Sequence, residues 1–105
     1  MGMNGPVREG PAERLYPISA MASHTTGNVV DVAGFFRDHH CVPTKIILID
    51  AKDTLPVVDV TLVGQDENHH YALPLFVGWV HSLAVKTVYL GTSTCDSIII
   101  AGINP

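Results

Sequence analysis

The apolar residues of this chain occur in short runs rich in β-branched side chains, and turn-forming residues separate the runs. The longest runs cover residues 46–49 and 98–101, and neither approaches the roughly 20 residues that a membrane-spanning helix needs. Valine and isoleucine favour the pleated, half-buried surface of a sheet. Because 105 residues leave room for a single domain, the pattern predicts one small all-β domain.

The runs predict a series of strands joined by polar connections. The third strand shows the clearest alternation, since Val58, Val60 and Leu62 are separated by Asp59 and Thr61. Five or six short strands of this kind predict a small barrel with at most one short helix. The predicted strands cover residues 28–36, 45–50, 55–63, 73–81, 86–90 and 97–101, with a loop at 37–44, turns at 51–54 and 91–96, and a polar segment at 65–71.

The ends of the chain and its cysteines set the expected organisation. Residues 1–14 are rich in Gly, Pro and charge, so we expect a flexible leader or interdomain linker there. The ordered domain is expected at 15–105. No apolar stretch typical of a signal peptide opens the sequence. We therefore expect Cys41 and Cys95 to be reduced thiols rather than a disulfide framework.

The charge balance argues against strong nucleic-acid binding through phosphates alone. Six Lys and Arg stand against ten Asp and Glu, which gives a net charge of −4. Neutralisation of phosphates by Lys and Arg supplies most non-specific affinity for DNA. Any binding to DNA is therefore expected to be weak and to depend on stacking as well as on charge.

Five stretches resemble, in order and spacing, the second central single-stranded-DNA-binding domain of the replication protein A large subunit. They are residues 16–19, 28–34, 47–50, 60–66 and 97–105. The resemblance implies a five-stranded barrel of the OB type. It implies a nuclear, non-catalytic module that binds single-stranded DNA in replication, repair or telomere maintenance. Its implied partners are neighbouring OB domains or other subunits of such a complex, and no membrane.

Two positions depart from the pattern of that family. The resemblance places a base-stacking Trp where this chain has Val63, and a second stacking aromatic where it has Leu83. Stacking of a base on an aromatic ring is worth about 1–3 kcal/mol. Trp79, two positions before His81, is a candidate replacement platform, and the alternation of a strand would place Trp79, His81 and Leu83 on one face. The alternative is that Trp79 caps the core.

The candidate nucleic-acid contacts follow from the resemblance and from the chemistry of each side chain. Cations are expected to meet phosphates, the indole to stack, and hydroxyl and imidazole groups to form hydrogen bonds, while two aliphatic residues occupy weakened stacking positions. In that order, the residues are Arg37, Lys45 and Lys86; Trp79; Thr61, His81 and Ser82; and Val63 and Leu83.

Other functions are weaker fits to the sequence. A metal site would draw on His39, His40 and Cys41 or on His69 and His70, but neither cluster has the spacing of a zinc motif. No nucleophile elbow or glycine-rich phosphate loop is present. We expect no catalysis, cofactor or metal. The alternative of a different class is a degenerate OB fold that mediates protein–protein interaction in a DNA-maintenance complex.

Overall fold

The fold is given by a computed structural model, which describes residues 13–50, 56–94 and 97–104. Within these ranges strands predominate, which confirms the β character of the predicted all-β domain. The expectation of at most one short helix is wrong, because the described residues form a 3₁₀ helix and an α-helix. The elements are β1 (Glu13–Pro17), a 3₁₀ helix (Ile18–His24), β2 (Thr25–Thr26), β3 (Val29–Asp31), α1 (Val32–Asp38), β4 (Val42–Leu48), β5 (Val57–Leu62), β6 (Tyr71–Pro74), β7 (Val80–His81), β8 (Val85–Tyr89) and β9 (Ile98–Ile103).

The described strands form two antiparallel sheets. Sheet 1 has the order β1-β9-β4-β7, and sheet 2 has the order β2-β3-β8-β5-β6. Among the described residues no strand is shared between the sheets. The described pairings therefore establish two sheets and do not by themselves close the predicted barrel.

The core lies between the two sheets and is built from the side chains that alternation directs inward. α1 and the 3₁₀ helix add Phe36 and Met21, both completely buried. The core residues of the sheets are Ile46, Leu48, Ile98 and Ile100 from sheet 1, and Val30, Val58, Val60, Val85 and Val88 from sheet 2.

The predicted first strand at 28–36 is wrong for most of its length, because the chain becomes helical at Val32. The Asp31 side chain accepts a hydrogen bond of 3.0 Å from the backbone N–H of Gly34 and caps the helix. Val32, Phe35 and Phe36 are buried on one side. Their spacing is helical, and burial of this face outweighs the strand propensity of the individual residues.

The helix ends in a turn that reverses the chain into β4. His40 adopts φ 57°, the left-handed conformation common just after a helix. The Cys41 N–H then donates to the Phe36 carbonyl at 2.8 Å, and the His40 N–H donates to the Arg37 carbonyl at 3.1 Å. The predicted loop at 37–44 is thus shorter than expected, since β4 already begins at Val42.

The predicted strand at 73–81 is two strands, β6 and β7, with a turn between them. β6 begins at Tyr71, inside the segment predicted to be irregular. Glu13 and Arg14, assigned to the leader, belong to β1. Residues 1–12, the turn at 51–54 and positions 95–96 of the last turn lie outside the described residues. In the described part of the chain, no helix has the length and apolar character to cross a membrane.

Candidate nucleic-acid interface

Two aromatic rings stand exposed at the edge of sheet 1, in the turn that leads into β7. Gly78 adopts φ 81°, and its N–H donates to the Leu48 carbonyl at 2.8 Å, which holds the turn against β4. Trp79 is 63% exposed and Phe76 is 56% exposed, with ring centroids 5.0 Å apart. Trp79 therefore does not cap the core. We call Phe76, Trp79 and His81 the aromatic edge.

His81 braces the aromatic edge from its inner side. The Phe76 N–H donates to the His81 ring nitrogen Nε2 at 3.1 Å, and the two rings lie nearly parallel with centroids 6.5 Å apart. The prediction that Trp79, His81 and Leu83 share one face is wrong. Leu83 packs against the core, whereas Ser82 is exposed beside it, because strand geometry is limited to Val80–His81.

The outer face of sheet 1 next to the aromatic edge is apolar. Pro17 pairs with Ile99, Ile99 with Ile47, and Ile47 with Val80. These four residues form one cross-strand row, which we call the apolar row. Val80 is 57% exposed, and Ile47 and Ile99 are half-buried. This surface can take up a planar base or an apolar side chain of a partner.

Two of the three predicted phosphate-binding cations already have acidic partners. Lys45 lies two residues from Ile47 on the same face of β4, and its Nζ donates to Glu13 at 2.7 Å. Lys86 Nζ donates to the Gln65 carbonyl at 2.9 Å and lies 3.5 Å from the Glu67 carboxylate. An exposed ion pair of this kind is worth only about 0.2–1 kcal/mol, so a phosphate can compete for Lys45.

Thr61 cannot contact a base as predicted, because its side chain is completely buried. Its hydroxyl is within 2.9 Å of the Tyr89 hydroxyl, which in turn donates to Glu67 at 3.0 Å. Burial raises the pKa of Tyr89, and the Glu67 carboxylate adds to the rise. These groups form a structural polar network within sheet 2 rather than a contact surface.

A cavity of about 720 Å³ opens beside α1, and its described lining contains two arginine and two histidine side chains. Of the predicted site residues it holds Arg37 and Val63, whereas Trp79, His81 and Lys45 are not among its described lining residues. Arg14 was missed because it lies in the segment assigned to the leader. We call it the arginine cavity, lined by Arg14, Ala33, Arg37, His39, His40, Cys41, Val42, Pro43, Val63 and Asn104.

The histidine and cysteine side chains near this cavity are engaged with the protein itself. The His39 ring nitrogen Nδ1 donates to the Phe35 carbonyl at 2.8 Å. The buried Cys41 thiol is free and donates to the His39 carbonyl at 3.3 Å. Within the described ranges, no group of three or more His, Cys, Asp or Glu side chains is placed to hold a metal ion.

The predicted residues thus separate into four places. Trp79, His81 and Ser82 lie at or beside the aromatic edge. Lys45 lies on the interior strand β4, and its Nζ is directed to Glu13 of β1, at the opposite edge of sheet 1. Arg37 and Val63 line the arginine cavity, and the remainder lie in or near sheet 2 and the core. Phe76 was not predicted, although its spacing of three residues from Trp79 is compatible with a shared turn. Comparison of the chain with protein-family models, with curated proteins and with solved structures finds no match.

Proposed function

We propose that this domain binds single-stranded DNA without catalysis and uses the aromatic edge as its stacking platform. The observation that carries the proposal is the exposed pair of Phe76 and Trp79, with ring centroids 5.0 Å apart. The resemblance of residues 15–105 to the replication protein A domain supports the same activity. It also supports an OB-type barrel as the finer description of the two sheets, a nuclear location, and neighbouring OB domains as partners in replication, repair or telomere maintenance.

The chemistry of the aromatic edge suits a ligand that binds by stacking of its bases, without recognition of their sequence. Every base has a flat π-face, so an exposed indole beside a second ring accepts successive bases with little sequence preference. Lys45 lies on β4 beside the apolar row, and its Nζ can exchange Glu13 for a phosphate, because both side chains of that pair are exposed. His81 and Ser82 supply hydrogen-bonding groups at the aromatic edge.

The net charge of −4 keeps the expected affinity low. With few cations available, the isolated domain is expected to bind in the micromolar range and to lose affinity as salt rises. Linkage to a second DNA-binding domain would raise the affinity through effective concentration, without any new contact.

A protein partner is the second candidate, and the apolar row favours it. Pro17, Ile99, Ile47 and Val80 continue the aromatic edge across all four strands of sheet 1. A continuous exposed apolar surface of this kind is typical of an interaction site. A partner with an apolar face would cover both the row and the two rings.

The test is a titration of the domain with fluorescein-labelled oligo-dT of about 20 nucleotides, a length that exceeds a typical OB-fold site, read by anisotropy at low and moderate salt. Trp79→Ala and Phe76→Ala are each expected to raise Kd about 5- to 150-fold, which corresponds to about 1–3 kcal/mol of stacking. Tyr71→Ala is the matched control, since Tyr71 is an exposed aromatic residue on sheet 2.

Absence of binding at low salt, or unchanged affinity in Trp79→Ala, would contradict the DNA proposal. If neither ring matters for DNA and Val80→Asp abolishes capture of a defined subunit of a DNA-maintenance complex, the protein-partner function is favoured instead.

A further inference from the structure

We propose that the arginine cavity binds the phosphate group of an organic phosphate monoester. This site is separate from the aromatic edge, and the proposal does not depend on DNA binding there. The ligand class follows from the charge of the described lining, the hydrogen-bond donors directed to it and the size of the space.

The charge of the cavity is unusual for an acidic chain. Arg14, Arg37, His39 and His40 line it, and no Asp or Glu is among its described lining residues. Among the described residues neither arginine forms an ion pair, whereas Lys45 and Lys86 each lie beside a glutamate. The cavity therefore concentrates positive charge that the described part of the protein does not neutralise. A bound anion would neutralise it.

The two arginines are held by separate elements of the fold. Arg14 lies on β1, where it pairs with Gly102 of β9. Arg37 lies in the last turn of α1, whose Phe36 is completely buried in the core. Both guanidinium-bearing side chains are exposed, and both line the cavity. Two planar forks of this kind match the oxygens of a phosphate.

The carboxyl end of α1 carries partial negative charge, and three of its last four carbonyl groups already accept hydrogen bonds from the protein. The Phe36 carbonyl accepts from the Cys41 N–H at 2.8 Å, and the Arg37 carbonyl accepts from the His40 N–H at 3.1 Å. The Phe35 carbonyl accepts from the His39 ring at 2.8 Å. These three carbonyl groups at the end of the helix therefore already have hydrogen-bond donors within the protein.

Neighbouring polar groups add to the donors that face the cavity. The Asn104 side-chain oxygen lies 3.4 Å from the Cys41 sulfur and is an alternative acceptor for the thiol proton, which leaves the amide NH₂ of Asn104 to donate to a ligand. A hydrogen bond with Tyr16 raises the pKa of Arg14, and the Cys41 side chain adds to the rise. Arg14 therefore remains a cation throughout the physiological range.

The size and the walls of the cavity identify a monoester rather than a free inorganic ion. A volume of about 720 Å³ lies in the range of sites for small organic ligands and exceeds the needs of one phosphate. Val42, Pro43 and Val63 supply an apolar wall. The organic part of the ligand would lie against this wall while the phosphate meets the arginines. The same chemistry is offered by a free phosphate ester and by the terminal nucleotide of a DNA strand.

The first experiment is a calorimetric titration of the intact chain with phenyl phosphate, with inorganic phosphate and phenol as the separated halves of the ligand. Arg14→Gln and Arg37→Gln are each expected to weaken binding of phenyl phosphate at least tenfold. Lys86→Gln removes the same charge on sheet 2, where Lys86 donates to the Gln65 carbonyl, and is expected to bind as the unaltered chain does. Circular dichroism checks that each variant is folded.

Lack of saturable binding at millimolar phenyl phosphate would overturn the proposal. An equal loss in Lys86→Gln would also overturn it, because that loss would indicate a general effect of net charge. Binding of inorganic phosphate as tight as that of phenyl phosphate would overturn the assignment of a monoester.

A second arm separates the two sources of the ligand and the two sites. Oligo-dT with a 5′-phosphate is compared with the same strand carrying a 5′-hydroxyl. If the chain prefers the phosphorylated strand and Arg37→Gln removes that preference, the ligand of the cavity is the terminus of a DNA strand. If the two strands bind equally and phenyl phosphate still binds, the ligand is a free phosphate ester. Trp79→Ala is expected to weaken binding of both oligo-dT strands and to leave the affinity for phenyl phosphate unchanged. A failure of the DNA proposal at the aromatic edge would therefore not affect the proposal for the arginine cavity.

Discussion

Gly102 of β9 provides a direct test of how α1 packs on sheet 1. A Cβ atom at this position would lie 2.7 Å from the Val42 carbonyl oxygen and closer still to the Phe36 ring. Neither neighbour can easily yield, because the carbonyl belongs to the backbone of β4 and the ring is completely buried. Gly102→Ala is therefore expected to overpack the junction of α1, β4 and β9.

The expected cost follows from these contacts. Overpacking of a core costs about 1–3 kcal/mol, and the backbone obstacle places Gly102→Ala near the upper end. The lower chain entropy of alanine offsets about 0.5–1 kcal/mol, which leaves a net loss of about 2 kcal/mol in the free energy of unfolding. For a domain of this size, that corresponds to a fall of roughly 8–16 °C in Tm.

Urea and thermal unfolding should be followed by far-UV circular dichroism, since the exposed Trp79 is a poor fluorescent reporter of the core. Gly91→Ala is the control, because the nearest atom there, at 3.2 Å, belongs to the exposed and adjustable end of Asn28. A loss below about 0.5 kcal/mol in Gly102→Ala, the range of ordinary surface changes, would refute the packing of Phe36 on β9. It would then favour the strand that the sequence predicts for this segment.

Two further predictions concern the helix cap and the polar network of sheet 2. Asp31→Ala is expected to lower the free energy of unfolding in urea by about 1 kcal/mol, because the Gly34 N–H loses its acceptor. Asp31→Asn should retain most of the stability. Equal losses in the two variants would contradict the role of Asp31 as a helix cap. Because burial raises the pKa of Tyr89 in the folded state, its contribution to stability is complete below about pH 10, the unperturbed value, and is lost as pH rises through the folded pKa. Tyr89→Phe should reduce this loss of stability at alkaline pH, whereas Tyr71→Phe should not. Identical profiles of stability against pH for Tyr89→Phe and the unaltered chain would contradict the assignment of the loss to Tyr89.

α1 illustrates why local patterns were insufficient for part of the fold. Residues 29–36 combine β-branched and aromatic side chains, which favour a strand, with apolar residues at a helical spacing. Both patterns are present in one short segment, so the local signal is ambiguous. The contact of Phe36 with Gly102 and the cap formed by Asp31 decide in favour of the helix from Val32 onward.

The candidate sites likewise combine residues that the sequence indicates with positions that only the tertiary structure decides. Trp79 was identified as informative because it is the sole tryptophan in the sequence, but its exposure depends on the turn that Gly78 makes against β4. The sequence likewise offered Arg37 as a cation without indicating that Arg14 would join it. The two arginines meet at one cavity because β1, which carries Arg14, pairs with β9, and α1, which carries Arg37, packs on the same strand.

The sequence by itself determined the mainly β character and the positions of β5, β8 and β9. Alternation and β-branched composition are local properties, and each strand carries them whatever its neighbours are. Only the tertiary structure decided that Thr61 is buried, that Lys45 meets Glu13, and that α1 replaces a strand. These outcomes depend on which strands pair and on what a side chain finds opposite it, and periodicity within one segment contains no information about either.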